Sequence, residues 1–262
     1  MPEREPKEKM STVKENVEFK SDGNTLKGVL VYPTDIESPV GVLFVHGSGK
    51  EKTIYQLLVP WQEYLAERGI SSLSFHCRGV HDSEGNFEDA SLENRVKDSE
   101  AALECFLASS HVDPTQVFVH GTSMGGHVVV RLLEKRSEIK GVMMEGGAAY
   151  GTEAEDKKMD QTFTDVIRKE NSWIESPAFN ILQKAGVPLL LIYGEFDNVI
   201  PDGIKEKYRS FIQDEKDDFV LKGGDHGSIR GETPEQKALC QEMYQATYEF
   251  VKRYSTVGGE SE

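Results

Sequence analysis

The sequence predicts an α/β protein with a mostly parallel, twisted sheet and helices on both faces. Short apolar segments typical of strands alternate with segments of helical spacing along nearly all of the 262 residues. One predicted strand, residues 40–45, is continuously apolar, as in a sheet that is covered on both faces. Such alternation places helices on both sides of a parallel sheet. Catalytic side chains are then expected in loops that follow the carboxyl ends of the strands.

The first half of the chain opens with a predicted antiparallel strand pair. Residues 13–19 and 25–32 have strand-like composition, and a turn at 21–24 joins them. The elements predicted next are a strand at 40–45, a helix at 56–68 that ends at Gly69, a strand at 70–75 and a helix at 92–107.

The second half continues the alternation. A strand at 117–120 leads into a helix that runs to about residue 136. Thr233 and Pro234 are residue types preferred at the N-cap and the first position of a helix, so they open a last helix through Phe250. Further strands are predicted at 141–144, 188–193 and 218–221.

One long insertion interrupts this pattern. Residues 147–186 separate two predicted strands by about forty residues, where a crossover with its helix needs about 10–12. The insertion is charged at first and then carries several apolar side chains. We interpret it as a small helical cap over the site, and the alternative is a long crossover helix and loop without a substrate role. The chain is predicted as a single domain over residues 13–257, preceded by a disordered tail at 1–12.

The composition narrows the class of protein. Hydrophobic residues make up 37% and charged residues 29% of the chain, which is typical of a soluble globular protein. The net charge of −15 argues against nucleic acid or anionic lipid as partners. We expect neither a secretory signal nor membrane insertion, since no apolar run reaches the ~20 residues of a membrane helix. The three cysteines are too few and too widely spaced for a disulfide framework or a metal site, which favours a reducing, cytoplasmic location.

Ser123 is the candidate nucleophile. It stands at the centre of Gly121-Thr122-Ser123-Met124-Gly125, between an apolar strand and a helix. A serine in this context is held in a strained backbone conformation with its hydroxyl above the sheet. Gly121 and Gly125 are expected where a side chain would collide with neighbouring backbone. The helix behind Ser123 directs its first N–H groups towards a developing oxyanion.

Two further residues complete a candidate catalytic triad, because a serine hydroxyl needs a histidine base and an acid that orients it. His226 is the candidate base, since it lies in a glycine-rich loop directly after a predicted strand. Asp197 is the candidate acid, since it follows a fully apolar strand; Glu145 is the next alternative and Glu195 a further rival. Asp225 adjoins the histidine, but its carboxylate cannot easily fold back onto the ring.

Two backbone N–H groups are candidates for holding the oxyanion. One belongs to Met124, and the other belongs to Ser48 in the loop that follows the strand at 40–45. In the same loop, His46 and Gly47 are expected to shape the substrate site.

These segments resemble the α/β-hydrolase fold superfamily over residues 13–251. The resemblance rests on His46-Gly47 after the third strand, G-T-S-M-G around Ser123, G-E-F-D-N-V-I-P around Asp197 and G-D-H-G around His226. The order Ser, Asp, His is the family's order. Within the superfamily the chain is most similar to small-capped esterases of the feruloyl- or cinnamoyl-esterase, dienelactone-hydrolase and monoacylglycerol-lipase types.

One stretch departs from those esterases. Residues 77–85 resemble their D-x-R-G-x-G-x-S-x-G motif, but His76 stands where an acidic residue or asparagine is common, and His81 where glycine is usual. The nucleophile is serine, unlike the cysteine of dienelactone hydrolase, so that enzyme's substrate is not implied.

The function expected from these residues is hydrolysis of small or medium acyl or aryl esters through an acyl-enzyme, with no metal or organic cofactor. The expected partner is a small-molecule ester. The sequence leaves open whether the protein forms a homodimer. Phe163, Trp173 and Phe179 are candidates for lining an apolar substrate pocket, although the same rings would also suit ordinary packing.

Other functions compete with this one. A peptidase or amidase could use the same triad, with Glu145, Glu153 or Glu155 near the substrate amine. Acyl transfer to an acceptor other than water also stays open. A non-enzymatic binding protein on the same fold is disfavoured because the triad residues are intact.

Overall fold

Eight strands form one sheet in the computed structural model, which describes residues 9–49 and 53–256. The strands are β1 (Thr12–Ser21), β2 (Asn24–Pro33), β3 (Gly41–Val45), β4 (Ser71–Phe75), β5 (Val117–Thr122), β6 (Ile139–Glu145), β7 (Leu189–Gly194) and β8 (Asp218–Leu221). Their order is β1-β2-β4-β3-β5-β6-β7-β8. β2 is antiparallel to both β1 and β4, and the remaining pairs are parallel. The predicted mostly parallel sheet is confirmed.

The predicted tail at 1–12 lies largely outside the described residues, as does the end of the chain from 257. The described part of the tail ends at β1, which begins at Thr12. The hairpin turn that follows is formed by Asp22 and Gly23, with φ of 46° and 84°. Positive φ at both positions suits a two-residue turn whose twist matches that of the strands.

The helices are α1 (Ile54–Leu57), α2 (Val59–Ala66), α3 (Leu92–Leu107), α4 (Met124–Leu132), α5 (Gln161–Ile167), α6 (Pro177–Ala185), α7 (Asp202–Arg209) and α8 (Pro234–Tyr254). The predicted helix at 56–68 is divided into α1 and α2 because Pro60 has no N–H to donate within a continuous helix. α4 ends at Leu132, before the predicted residue 136, and α7 was not predicted. Within the described ranges, no helix combines the length and the apolar character needed to cross a membrane.

Apolar side chains cover both faces of the sheet. Along β3, Leu43 and Val45 pack into one core cluster with α3, α4 and α6, whereas Val42 and Phe44 pack into a second with α2 and α8. All four side chains are fully buried. This two-sided burial explains the continuous apolar run, and it leaves the carboxyl ends of the parallel strands as the open edge for a site.

The insertion at 147–186 consists of two different parts. α6 packs against α4 and buries Phe179 and Leu182, so it serves as the crossover helix on the sheet. α5 and the segments around it lie over the carboxyl ends of the strands, where Phe163 and Ile167 face a cavity. Only α5 and the segments around it are therefore placed to contact a substrate.

Candidate active site

Ser123 stands at the turn between β5 and α4 with φ 52° and ψ −116°. Its N–H donates to the carbonyl oxygen of Glu145 at 2.8 Å, which holds this strained conformation in place. Both flanking glycines are required by close approach: a Cβ on Gly121 would lie 2.3 Å from the oxygen of Gly125. A Cβ on Gly125 would lie 2.2 Å from the oxygen of Val45. The turn thus needs glycine on either side of the serine.

The structure brings Ser123, His226 and Asp197 together at the open edge of the sheet. Nε2 of His226 lies 3.0 Å from the Ser123 hydroxyl oxygen, and Nδ1 lies 2.8 Å from Oδ2 of Asp197. His226 follows β8 and Asp197 follows β7, so adjacent parallel strands deliver both side chains. This is the arrangement in which a histidine accepts the serine proton while a carboxylate orients the ring.

The Asp197 carboxylate is buried and held on both oxygens. Oδ1 accepts the N–H groups of Val199 at 2.9 Å and Ile200 at 3.2 Å, while Oδ2 faces His226. Burial raises the pKa of Asp197, but the hydrogen bond and charge of His226 and the two N–H groups outweigh it, so the pKa lies below its ordinary value. Asp197 is therefore ionised at neutral pH and accepts a hydrogen bond from the Nδ1–H of His226, which leaves Nε2 to accept the hydrogen bond of the Ser123 hydroxyl.

The other acidic residues considered as partners of His226 make different contacts. Glu195 pairs with Lys222 and accepts the Gly223 N–H at the protein surface. Asp225 accepts hydrogen bonds from Gly227 and Ser228 within its own loop. Glu145 is buried at the end of β6, and its backbone carbonyl accepts the Ser123 N–H.

Both candidate oxyanion donors lie at the cavity that Ser123 faces. Ser48 and Met124 line this cavity together with Ser123. Met124 is the first residue of α4, and the first N–H groups of a helix have no partner within it. Gly47 lets the loop after β3 approach the nucleophile, since a Cβ there would lie 3.1 Å from the Cβ of Ser123.

His46 is buried inside the same loop. Its Nε2 accepts the Cys77 N–H at 3.1 Å, so Nδ1 carries the proton and donates to the Gly47 carbonyl at 2.7 Å. With Gly47, Ser123 and His226 it lines a separate, narrow cavity of about 20 Å³. Its ring therefore shapes the loop and does not belong to the wall of the larger cavity.

The larger cavity has a volume of about 520 Å³ and a wall in which polar and apolar side chains both take part. Two of the three predicted rings, Phe163 and Trp173, line it. Phe179 does not line it but packs edge to face against Trp173, with ring centroids 6.2 Å apart. Phe179 can therefore act on a substrate only through Trp173. Sequence reasoning missed several other lining residues, among them Phe87, Tyr150, Ile200 and Ile204.

Gly146, directly after β6, was also missed. It has φ 55°, and a Cβ there would lie 2.9 Å from Cε1 and 3.0 Å from Nδ1 of His226. The same Cβ would lie 3.4 Å from Oδ2 of Asp197. This glycine makes room for the His–Asp pair, and a lone glycine after a strand gives no sequence signal of that role.

One group in the described part of the chain has ligand atoms close enough to hold a metal ion: His76, His81 and Asp82. Nε2 of His76 accepts the Ile54 N–H at 3.0 Å, and Nδ1 donates to Asp82 at 2.6 Å. His81 adopts φ 50° and stacks on His76, with ring centroids 4.8 Å apart. Because both nitrogens of His76 are already used, the group fits a hydrogen-bond network better than a metal site. His76 and His81, the two residues that depart from the esterase motif, thus contact each other and share Asp82.

The fold and the arrangement of Ser123, His226 and Asp197 define an α/β-hydrolase. The family described as serine aminopeptidase, S33, matches residues 38–172. The chain belongs to this hydrolase family.

Relatives and solved structures agree with this fold. The uncharacterized protein YfhR of Escherichia coli K12 is 27% identical over 221 residues, which cover 81% of this chain and 73% of the relative. Est1E from Butyrivibrio proteoclasticus, solved with ferulic acid bound, has a TM-score of 0.69 at 18% identity and covers 91% of this chain and 98% of its own. The acylaminoacyl peptidase of Pyrococcus horikoshii has a TM-score of 0.69 at 20% identity, covering 96% of this chain and 43% of its own.

Proposed function

We propose that the chain hydrolyses small or medium acyl or aryl carboxylic esters, with Ser123, His226 and Asp197 as its catalytic triad. The observation that carries the proposal is the continuous path from Asp197 through His226 to Ser123, with contacts of 2.8 and 3.0 Å. It ends at a serine in a strained turn that faces a cavity of about 520 Å³.

The first half of the reaction forms the acyl-enzyme. The Ser123 oxygen attacks the ester carbonyl carbon while Nε2 of His226 takes the hydroxyl proton. The carbonyl oxygen becomes an oxyanion that the N–H groups of Met124 and Ser48 hold. When the C–O bond of the alcohol breaks, His226 gives its proton to the leaving oxygen, and the acyl group stays on Ser123.

The second half releases the acid. A water molecule gives a proton to Nε2 of His226, and its oxygen attacks the acyl carbon. The oxyanion forms again at the same donors. The bond to the Ser123 oxygen breaks, this oxygen recovers the proton from His226, and the carboxylic acid leaves. The residues return to their starting protonation states, and one water has been consumed.

The aromatic and aliphatic side chains in the cavity wall favour an ester with an apolar acyl or aryl group. Phe87, Phe163 and Trp173 offer aromatic surface, and Ile167 and Ile204 add aliphatic surface. Burial of such groups drives binding of apolar ligands. The similarity to Est1E, whose structure holds ferulic acid, supports an aryl acid as one acyl group to test.

The test is hydrolysis of p-nitrophenyl esters from acetate to octanoate by the wild type and by Ser123→Ala. We expect turnover by the wild type and almost none by the variant, since removing a triad nucleophile costs about 10⁶-fold in kcat. Ser137→Ala is the matched control, because Ser137 is exposed, follows the end of α4 and does not line the cavity. A wild type inactive on every ester, or an active Ser123→Ala, would contradict the proposal.

A second candidate is a serine peptidase that binds the substrate's α-amine. The family description and the similarity to an acylaminoacyl peptidase favour it. Of the acids considered from the sequence, Glu153 pairs with Lys169, and Glu155 pairs with Arg131 and His127.

Among the described residues that line the cavity, Asp160 is the one carboxylate. A peptidase would therefore use Asp160 to bind the amine. Aminoacyl p-nitroanilides distinguish the two functions: a peptidase cleaves them and loses affinity for them in Asp160→Asn. An esterase cleaves the p-nitrophenyl esters equally well with and without that substitution.

A further inference from the structure

Arg95 on α3 is a buried cation of unusual placement. Arg95 is 1% exposed. Within the described ranges, no carboxylate lies within ion-pair distance of its guanidinium. A buried arginine is usually paired with a carboxylate, as Arg78 is with Asp98 at 2.7 Å. An unpaired buried charge destabilises a fold, so its retention calls for a compensating role.

The guanidinium of Arg95 holds the loop that follows β3. Nη1 donates to the carbonyl oxygens of His46 at 3.3 Å and Gly47 at 3.2 Å. The Gly47 carbonyl also accepts the Nδ1 proton of His46 at 2.7 Å. Two donors thus converge on one carbonyl oxygen.

That carbonyl belongs to the peptide group whose N–H is the Ser48 N–H. None of the described peptide bonds is cis, so the Gly47 oxygen and the Ser48 hydrogen point in opposite directions. Arg95 therefore lies on one side of the peptide, and the Ser48 N–H points away from it. Ser48 and Ser123 line the same cavity.

The charge of Arg95 also reaches that cavity. Tyr150 is one of the residues that line the cavity. Burial raises the pKa of Tyr150 to about 12, and the positive charge of Arg95 acts in the opposite direction. The positive charge of Arg95 therefore acts on a residue of the cavity that Ser123 also lines.

We propose that Arg95 is a positioning residue for catalysis that orients and polarises the Gly47–Ser48 peptide, so that the Ser48 N–H becomes a stronger oxyanion donor. The inference rests on the proposed hydrolase function, since it assigns a role within the same reaction.

The physical effect is a chain of aligned dipoles. The guanidinium withdraws electron density through the Gly47 carbonyl, and the N–H at the other end of the peptide becomes more positive. Hydrogen bonds in such chains strengthen one another in a medium of low dielectric constant. Full negative charge appears on the substrate oxygen only in the tetrahedral state, so the benefit falls on kcat and leaves KM nearly unchanged.

The test compares charge with hydrogen bonding. Arg95→Gln keeps a donor and removes the charge, whereas Arg95→Lys keeps the charge. Lys97→Met is the matched control, because it removes an exposed cation from the same helix. The measurements are kcat and KM on a p-nitrophenyl ester, and the rate at which a fluorophosphonate labels Ser123, with the melting temperature of each variant.

We expect Arg95→Gln to lower kcat and the labelling rate by at least about tenfold at unchanged KM, below the ~10²–10³-fold of losing an oxyanion donor. Arg95→Lys should recover most of the loss, and Lys97→Met should match the wild type. Should Arg95→Gln fail to fold, Arg95→Met serves as the neutral variant.

Two results would overturn the proposal while the hydrolase function stands. One is wild-type kcat in the neutral variant. The other is an equal loss in Arg95→Gln and Arg95→Lys that follows the melting temperature, which would indicate a purely structural role. Wild type that neither hydrolyses the ester nor is labelled at Ser123 would instead overturn the proposed function, and this inference with it.

Discussion

Nε2 of His226 lies 3.0 Å from the hydroxyl oxygen of Ser123, although 103 positions separate the two residues in the sequence. Each residue reaches this point from the carboxyl end of a different parallel strand. The contact is useful for proton transfer only while the ring is neutral and Nε2 has a free lone pair. Its chemistry should therefore depend on pH and on whatever holds the ring in place.

The pH dependence of the proposed reaction should follow the His226 ring. We expect kcat/KM to rise with pH as His226 loses its proton, because protonated His226 cannot accept the Ser123 proton. The lowered pKa of Asp197 keeps that carboxylate ionised across the same range, so it should add no second step above pH 5. The measurement is kcat/KM from pH 5 to 8, and a flat profile would contradict the role of His226, provided that chemistry limits the rate.

Asp197 should be needed for the orientation of the ring. Asp197→Asn is nearly isosteric, but its amide can present an N–H to Nδ1 and stabilise the wrong tautomer. We expect kcat to fall by about 10⁴-fold with little change in KM. Glu195→Gln is the matched control, because Glu195 contacts Lys222 and Gly223 at the surface. Equal activity of Asp197→Asn and the wild type would move the assignment to another acid, with Glu145 as the next candidate.

Gly146→Ala should displace His226. The added Cβ would lie 2.9 Å from Cε1 of the ring, and φ is 55°. We expect a loss of roughly 10²-fold in kcat, since a shift of about 1 Å in a catalytic group has that effect. The positive φ alone should lower the unfolding free energy by about 1–2 kcal/mol.

Gly186→Ala separates the two effects. Gly186 has φ 61°, and a Cβ there would meet no atom within 4 Å. Both variants should lose the stability that the positive φ costs in a denaturant titration, and only Gly146→Ala should lose activity. If both lose activity to the same degree, the collision with His226 is not the cause.

The sequence places Ser123, Asp197 and His226 at the ends of strands because its signals are local. The glycines around Ser123, the apolar strand before Asp197 and the glycines beside His226 each mark a strand end on their own. Parallel strands then bring these ends to one edge of the sheet. The two-residue turn at Asp22-Gly23 is predictable for the same reason.

Features that depend on packing between distant parts of the chain could not be predicted from such local signals. The roles of Gly146 and Arg95 depend on neighbours about 50 to 80 positions away, and neither residue belongs to a motif. Phe163 and Phe179 are alike as sequence, but α5 turns one ring into the cavity whereas α6 packs the other on the sheet. Only the positions of the helices distinguish the two.

Trp173→Ala should change the ester preference. Its ring is part of the cavity wall and is supported by Phe179. Removing it enlarges the cavity, so we expect the chain-length optimum of the p-nitrophenyl series to move to longer acyl groups. Phe179→Ala should mainly lower stability, by about 3–5 kcal/mol for a buried aromatic ring. If Trp173→Ala lowers the melting temperature but keeps the wild-type preference, the ring is only a packing residue.

His120 should make the fold sensitive to acid. Its ring is fully buried on β5 between Phe44 and Trp61, and neither ring nitrogen has a hydrogen-bond partner among the residues that the structure describes. Burial lowers the pKa of His120 to about 3. The unfolded chain binds a proton near ~6.5, so it binds more protons than the folded chain between these values. The stabilisation that the fold gains from keeping this ring neutral is thus complete above pH ~6.5, and it is lost as the pH falls towards 3.

The loss should amount to roughly 2 kcal/mol between pH 7 and pH 5, because each pH unit below the unfolded pKa contributes about 1.4 kcal/mol. His120→Leu has no proton to gain, so its unfolding free energy should fall less over the same interval. Urea titrations at both pH values measure this difference. His111→Gln is the control, since it removes a histidine that is only half-buried beside Tyr32. Parallel slopes for the wild type and His120→Leu would show that the buried ring does not carry the acid sensitivity.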